Sequence, residues 1–227
     1  ERGSIEQQLV FQEFLIWLQQ DTYKWMNAYL RQNGFKGIAT MFNASSTINS
    51  HLARMVLDGV DRHGYFDHTT TTVGARNTQK SSLINAGYYA RLIAVSRWLG
   101  KPFFVSEYGQ PYWNQYRREA SLIVPSLASL QNWNFICLYG AGPIDLSYNQ
   151  DAWRKKTIYP FFGIGLDPIT RAGETLSWFV FFRHDVSPAK NIIALKLKGA
   201  QINNAKVPEN YSYLSLITGV GLFASEV

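Results

Sequence analysis

Between residues 4 and 183 the chain alternates helix-like and strand-like segments in an order that few architectures accept. Residues 4–33 space Leu9, Phe11, Phe14, Leu15, Leu18, Tyr23, Trp25, Met26, Tyr29 and Leu30 mostly three or four apart and stop at Gly34, the pattern of a long amphipathic helix. A strand is expected over 35–43 (FKGIATMFN), a short helix over 48–54, a second strand over 55–65 and a helix over 83–99 closed by Gly100. A strand over 102–107, a helix over 112–131 kinked or divided by Pro125, a strand over 134–139 (NFICLY) and a helix over 167–183 opened by Asp167-Pro168 follow. A helix followed by repeated strand–helix pairs is the grammar of parallel βαβ units. The expected fold class is therefore α/β, and the order fits the second half, strands 5–8, of a (β/α)8 TIM-type barrel.

Past residue 189 the pattern changes to short extended segments over 192–197, 200–203 and 213–217. The expected division is a barrel part over 1–189 and a β-rich appendage, or the start of a following β domain, over 190–227. The polar run 69–82, with four consecutive threonines, is expected to be a long surface loop. The chain opens on Glu1-Arg2-Gly3 with no initiator Met or signal peptide and stops just after an apolar run, so a fragment of a longer protein is expected.

Several function classes are not favoured. The net charge of +6 comes from Lys and Arg scattered along the chain rather than gathered into a stripe, which argues against a nucleic-acid partner. No apolar run approaches the ~20 residues that cross a bilayer, so no membrane partner is expected. The single cysteine, Cys137, excludes a disulfide within the chain and is expected to be a small buried hydrophobe. His51, His63, His68 and His184 lack zinc-ligand spacing apart from the loose His63–His68 pair, and no phosphate loop or dinucleotide fingerprint occurs. No metal or cofactor is expected.

The chemistry gathers at strand ends. The run KPFFVSEYGQ, residues 101–110, delivers Glu107 to the end of a short apolar strand, where barrel enzymes keep their reacting groups. The other expected strand ends carry Asn43, then Asp61, His63 and Tyr65, and finally Tyr139, so polar or aromatic groups from successive strands point at one mouth. An ion pair with a neighbouring Arg is the structural alternative for Glu107. Tyr65 is placed to donate its phenolic hydrogen to Glu107 and so stabilise the ionised form. His63 and His68 read equally as ligands of sugar hydroxyls and as structural histidines. Aromatics make up 15% of the chain, more than ordinary packing requires, and Trp113, Tyr139 and Trp153 are candidate stacking platforms for a sugar, each also readable as packing.

The strand ending in Ser106-Glu107-Tyr108-Gly109, followed by Tyr112-Trp113 and a helix, resembles the seventh-strand nucleophile segment of clan A glycoside hydrolases. The stretch Asp61 to His68 is similar to the sixth-strand segment of their cellulase- and β-galactosidase-like members, where a His/Tyr pair lines the catalytic subsite. The resemblance covers about residues 4–189, with 134–139 standing for strand eight. It implies a retaining glycosidase with Glu107 as nucleophile and Asn43, Asp61, His63, Tyr65, His68, Trp113, Tyr139 and Trp153 around a carbohydrate substrate. One departure is plain: the family's acid/base is the Glu of an Asn-Glu pair ending strand four, and no such pair occurs near the start of this chain.

The expectation is thus part of a retaining glycoside hydrolase acting on a β-linked glycan or glycoside, its acid/base upstream of this chain. The missing N-terminal half or a second copy of the chain would complete the barrel. A non-catalytic carbohydrate-binding or scaffold protein on an incomplete barrel is the alternative. A secreted or periplasmic location is expected, by analogy with such substrates.

Overall fold

The computed structural model describes residues 3–44, 47–68, 76–111, 114–140, 167–197 and 209–224. Helix α1 (Ile5–Gln32) begins at a capping box in which Ser4 and Gln7 satisfy each other's backbone N–H groups. It ends where Gly34 takes a positive φ of 84°. Near its C-terminus Tyr23 is buried, with its hydroxyl accepting from Asp58 N–H and donating to Ala39 carbonyl, while Arg31 pairs with Asp58.

Strands β1 (Val60–Asp61) and β2 (Gly64–Tyr65) both run parallel to β3 (Phe103–Gly109) along one edge, and β4 (Phe135–Leu138) runs parallel to its other edge. Helix α2 (Ile48–Ala53) precedes β1, α3 (Ile84–Ala94) joins β2 to β3, and α4 (Ala120–Leu130) joins β3 to β4. Helix α5 (Pro168–Phe181) follows β4 and packs on α4. Phe103, Val105 and Tyr108 of β3 meet Ile93, Trp98, Val124 and Trp133 in the main core.

Strand β3 carries one residue more than either neighbour across its middle. From Asp61↔Phe104 to Gly64↔Tyr108 it advances four residues against three, and from Val105↔Ile136 to Tyr108↔Leu138 three against two. The surplus is a bulge at Ser106–Glu107, and it makes both of these residues half-exposed while Val105 and Tyr108 on either side are buried.

The α4–α5 contact resolves the proline that sequence places inside a helix. Pro125 has no N–H for the Ser121 carbonyl, and the hydroxyl of Ser177 on α5 lies 2.9 Å from that carbonyl instead. Gly173 lets the helices approach, since a Cβ there would fall 2.3 Å from Ser121 Oγ. Asp167 caps α5, accepting from Ile169 N–H and Thr170 Oγ1, and takes a two-point ion pair from Arg117. Burial pushes the Asp167 pKa up, but the bonds from Arg117 and Thr170 outweigh it and hold the carboxyl below the usual range.

Strands β5 (Ile192–Lys196) and β6 (Gly219–Phe223) form a parallel pair. Strand β6 also bonds the end of the α3 unit, through Leu99 N–H to Leu222 carbonyl at 3.0 Å and Leu222 N–H to Arg97 carbonyl at 2.6 Å. The side chain of Gln131 donates to the carbonyls of Ser215 and Thr218 and accepts from Val220 N–H.

Four local expectations are corrected. Residues 35–43 form no regular strand: Phe42 adopts a φ of 61°, its carbonyl is taken by Arg54, and one backbone bond, His63 N–H to Asn43 carbonyl at 2.9 Å, joins the segment to the sheet. Residues 55–65 are not one strand, because a 3-10 turn over Arg54–Val56 precedes β1 and the bulge in β3 breaks the ladder between β1 and β2. Residues 213–217 close a 3-10 helix, Glu209–Leu216, rather than extending. Cys137 is exposed, since β4 alternates exposed and half-buried positions.

Candidate functional site

The bulge in β3 turns Glu107 out of the core and into the site. In a regular strand Glu107 would share a face with Phe103 and Val105, both fully buried. With the extra residue in place its side chain is 32% exposed. It receives the hydroxyl of Tyr65, from the adjacent strand β2, on Oε2. His63 Nδ1 lies 3.2 Å from the same oxygen. Among the described residues no hydrogen bond is made to Oε1.

Below Glu107 the bulged backbone is held by Asp61, at the end of β1. Its carboxylate takes the Ser106 N–H at 2.9 Å and the Ser106 hydroxyl at 2.5 Å, and Asp61 is 3% exposed. His63 Nε2 is 2.9 Å from Ser106 Oγ and 3.4 Å from Asp61 Oδ2, so the ring spans from the buried carboxylate to the half-exposed one. Behind Asp61 lie two buried guanidiniums. Burial, and then the charge of Arg62, lowers Arg54 to about 9, and burial lowers Arg62 to about 10, with Asp61 opposing the shift in both.

The walls of the site are aromatic. Tyr139 meets Tyr65 edge-on with ring centres 5.9 Å apart, and His68 meets it edge-on at 5.5 Å. Burial, and then the hydrogen bond to Glu107, pushes the Tyr65 phenol far up, which keeps it a proton donor throughout the physiological range. Burial, and then the Glu107 charge, pushes the Cys137 thiol up as well, which marks it as a neighbour of the site.

The structure thus brings Asp61, His63, Tyr65, His68, Glu107 and Tyr139 together. Asn43 joins through its backbone, its carbonyl accepting from His63 N–H and from the Arg62 side chain at 2.8 Å. Trp113 and Trp153 lie outside the described residues. Sequence reasoning missed Ser106, although it stands beside Glu107 in the motif, because a serine inside a strand announces no role until the partner across the ladder is known. It missed Arg54 and Arg62 for the same reason.

Among the described residues no group of three or more His, Cys, Asp or Glu could hold a metal ion, and no helix is long and apolar enough to cross a membrane. A separate groove of about 370 Å³, bordered by Tyr108, Phe135, Cys137, Glu174, Trp178 and Phe182, does not include Glu107, His63 or Tyr65 in its lining. No protein-family model, no curated protein and no solved structure matches this chain.

Proposed function

We propose that the chain is part of a retaining glycoside hydrolase acting on a β-linked glycan or glycoside, with Glu107 as its nucleophile. The observation that carries this reading is the presentation of Glu107: a bulge aims it outward, Tyr65 and His63 hold one carboxylate oxygen, and the other is left to attack. In a double displacement Oε1 bonds the anomeric carbon as the glycosidic C–O bond breaks, and water later displaces the carboxylate. Donors on Oε2 orient the group without occupying the attacking oxygen. Tyr139 and His68 border the place where a sugar ring would sit.

The reaction also needs a general acid about 5 Å from the nucleophile. Asp61, the other carboxylate of the network, is buried and engaged by Ser106, which leaves the acid/base to the part of the barrel upstream of this chain in this reading. A barrel half fits this need, because its partner half would carry the acid. In support, β4 exposes Phe135, α5 exposes Trp178 with Phe182 exposed just after it, and α1 exposes Phe11, Phe14, Trp17 and Trp25, apolar flanks of the kind that meet another body. A secreted or periplasmic setting goes with such a substrate.

A dinitrophenyl leaving group departs without protonation, so dinitrophenyl 2-deoxy-2-fluoro-β-glycosides test the nucleophile independently of the acid. The expected result is a covalent glycosyl adduct on the peptide that contains Glu107, lost in Glu107→Gln. Labelling at any other residue refutes the assignment. Sugar binding with no adduct favours the non-catalytic carbohydrate-binding reading.

A further inference from the structure

Around His63 the polar atoms have room for one arrangement of protons. Asp61 Oδ2 and Ser106 Oγ are 2.5 Å apart, a separation that requires a proton between the oxygens. An ionised carboxylate only accepts, so the Ser106 hydroxyl proton points at Asp61. His63 Nε2 lies 2.9 Å from that same hydroxyl oxygen, which has no second proton to give, and Nε2 is therefore the donor. At the other end of the ring, Nδ1 faces Glu107 Oε2 at 3.2 Å, an oxygen that already accepts from Tyr65. A bare lone pair there would be repelled by the carboxylate, whereas a second ring proton makes an ion pair.

We propose that Asp61 is a positioning residue that, by taking the Ser106 hydroxyl proton away from Nε2, holds His63 as an imidazolium against Glu107, and that this cation assists departure of Glu107 from the glycosyl-enzyme. The second clause rests on the nucleophile reading above. When the ester forms, the carboxylate gives up its charge to the new C–O bond. When water attacks the anomeric carbon, that bond breaks, its electron pair returns to Glu107, and the proton of the water passes to the base. A cation beside Oε2 favours the carboxylate, so it works against the first step and for the second.

The ionisable groups around this unit come from every strand. Asp61 stands on β1, Tyr65 on β2, Glu107 on β3, and the charge of Glu107 reaches Cys137 on β4. The charge of Asp61 acts on the buried guanidiniums of Arg54 and Arg62, and His68 packs on Tyr65.

Nitrogen-15 NMR of the histidine rings tests the first clause without substrate. At neutral pH both ring nitrogens of His63 are expected to carry protons. In Asp61→Asn the Ser106 N–H keeps the amide oxygen on its side, the amide nitrogen donates to Ser106 Oγ, and the hydroxyl proton turns to Nε2. His63 then becomes neutral with its proton on Nδ1. In Ser106→Ala the imidazolium is retained against Asp61, so this second variant separates proton placement from loss of the bond network. A single ring proton in the wild type, or a wild-type spectrum in Asp61→Asn, overturns the proposal.

Kinetics on dinitrophenyl glycosides test the second clause. Asp61→Asn is expected to lower kcat about tenfold with KM falling at least as far, so that kcat/KM holds or rises and the glycosyl-enzyme accumulates. A fall in kcat/KM at constant kcat overturns it. If the wild type forms no covalent adduct, the nucleophile reading and this clause fall together, while the ring spectrum still decides the first.

Discussion

Tyr65 and Glu107 are 42 positions apart in the chain but neighbours across the ladder, since Tyr65 pairs with Gly109 and its hydroxyl reaches back to Oε2 of Glu107. A hydrogen bond to a charged acceptor contributes about 1.5–3 kcal/mol, so Tyr65→Phe is expected to slow turnover of a glycoside by about 10- to 100-fold. The melting temperature should stay nearly unchanged, because Glu107 remains partly exposed and water replaces the lost donor. A large drop in melting temperature with activity intact would show instead that the pair is structural. The residue-level signals were partly legible in the sequence: Glu107, Tyr65 and His63 are functional types at strand ends. Ser106 was not, because its importance comes from Asp61 lying 45 positions away.

At the scale of elements, α4 and α5 meet through small groups. Gly173 faces Ser121 so closely that a methyl group would fall 2.7 Å from the Ser121 Cβ, and Ser121 is itself buried. Gly173→Ala is therefore expected to destabilise the protein by about 1–3 kcal/mol, read from denaturant midpoints, despite alanine's higher helix propensity. Asp167 makes α5 sensitive to acid. Its folded pKa lies below its unfolded one, so the stability it contributes is full above the usual carboxylate range and is lost as pH falls through the folded value. Melting curves over the acidic range should show that Asp167→Asn flattens the decline. An unchanged slope would mean that other carboxylates dominate it. The Asp-Pro start of this helix was plain in the sequence, whereas the partner Arg117 was not.

At the scale of the whole molecule, Gln131 ties the C-terminal segment to the rest. It is 1% exposed, and Gln131→Leu would strand the carbonyls of Ser215 and Thr218 and the N–H of Val220. Each unsatisfied buried group costs ~1–3 kcal/mol, so a loss of several kcal/mol in unfolding free energy is expected, with hydrogen exchange rising first in β6. Uniform exchange across the molecule would show that β6 does not open separately. The extended reading of residues 213–217 failed here because the segment closes a 3-10 helix that buries Ser212 and Ser215 and leaves Tyr213, Leu216 and Ile217 exposed.

What the sequence by itself determined is local. Ser4 and Gln7 cap α1, Asp167 and Pro168 start α5, and the apolar run 103–105 makes a strand, because each depends on residues within a few positions of one another. It also placed Glu107 at the end of that strand, but simple alternation would have aimed it into the core beside Val105. Only the tertiary structure decided otherwise. The partners of β3 on both sides advance one residue fewer, and Asp61 accepts the N–H of Ser106 in the bulge, so the direction of Glu107 is set by strand register and by a carboxylate from another strand. Register is a property of neighbours, and the neighbours of β3 are fixed by packing that no short window of sequence contains.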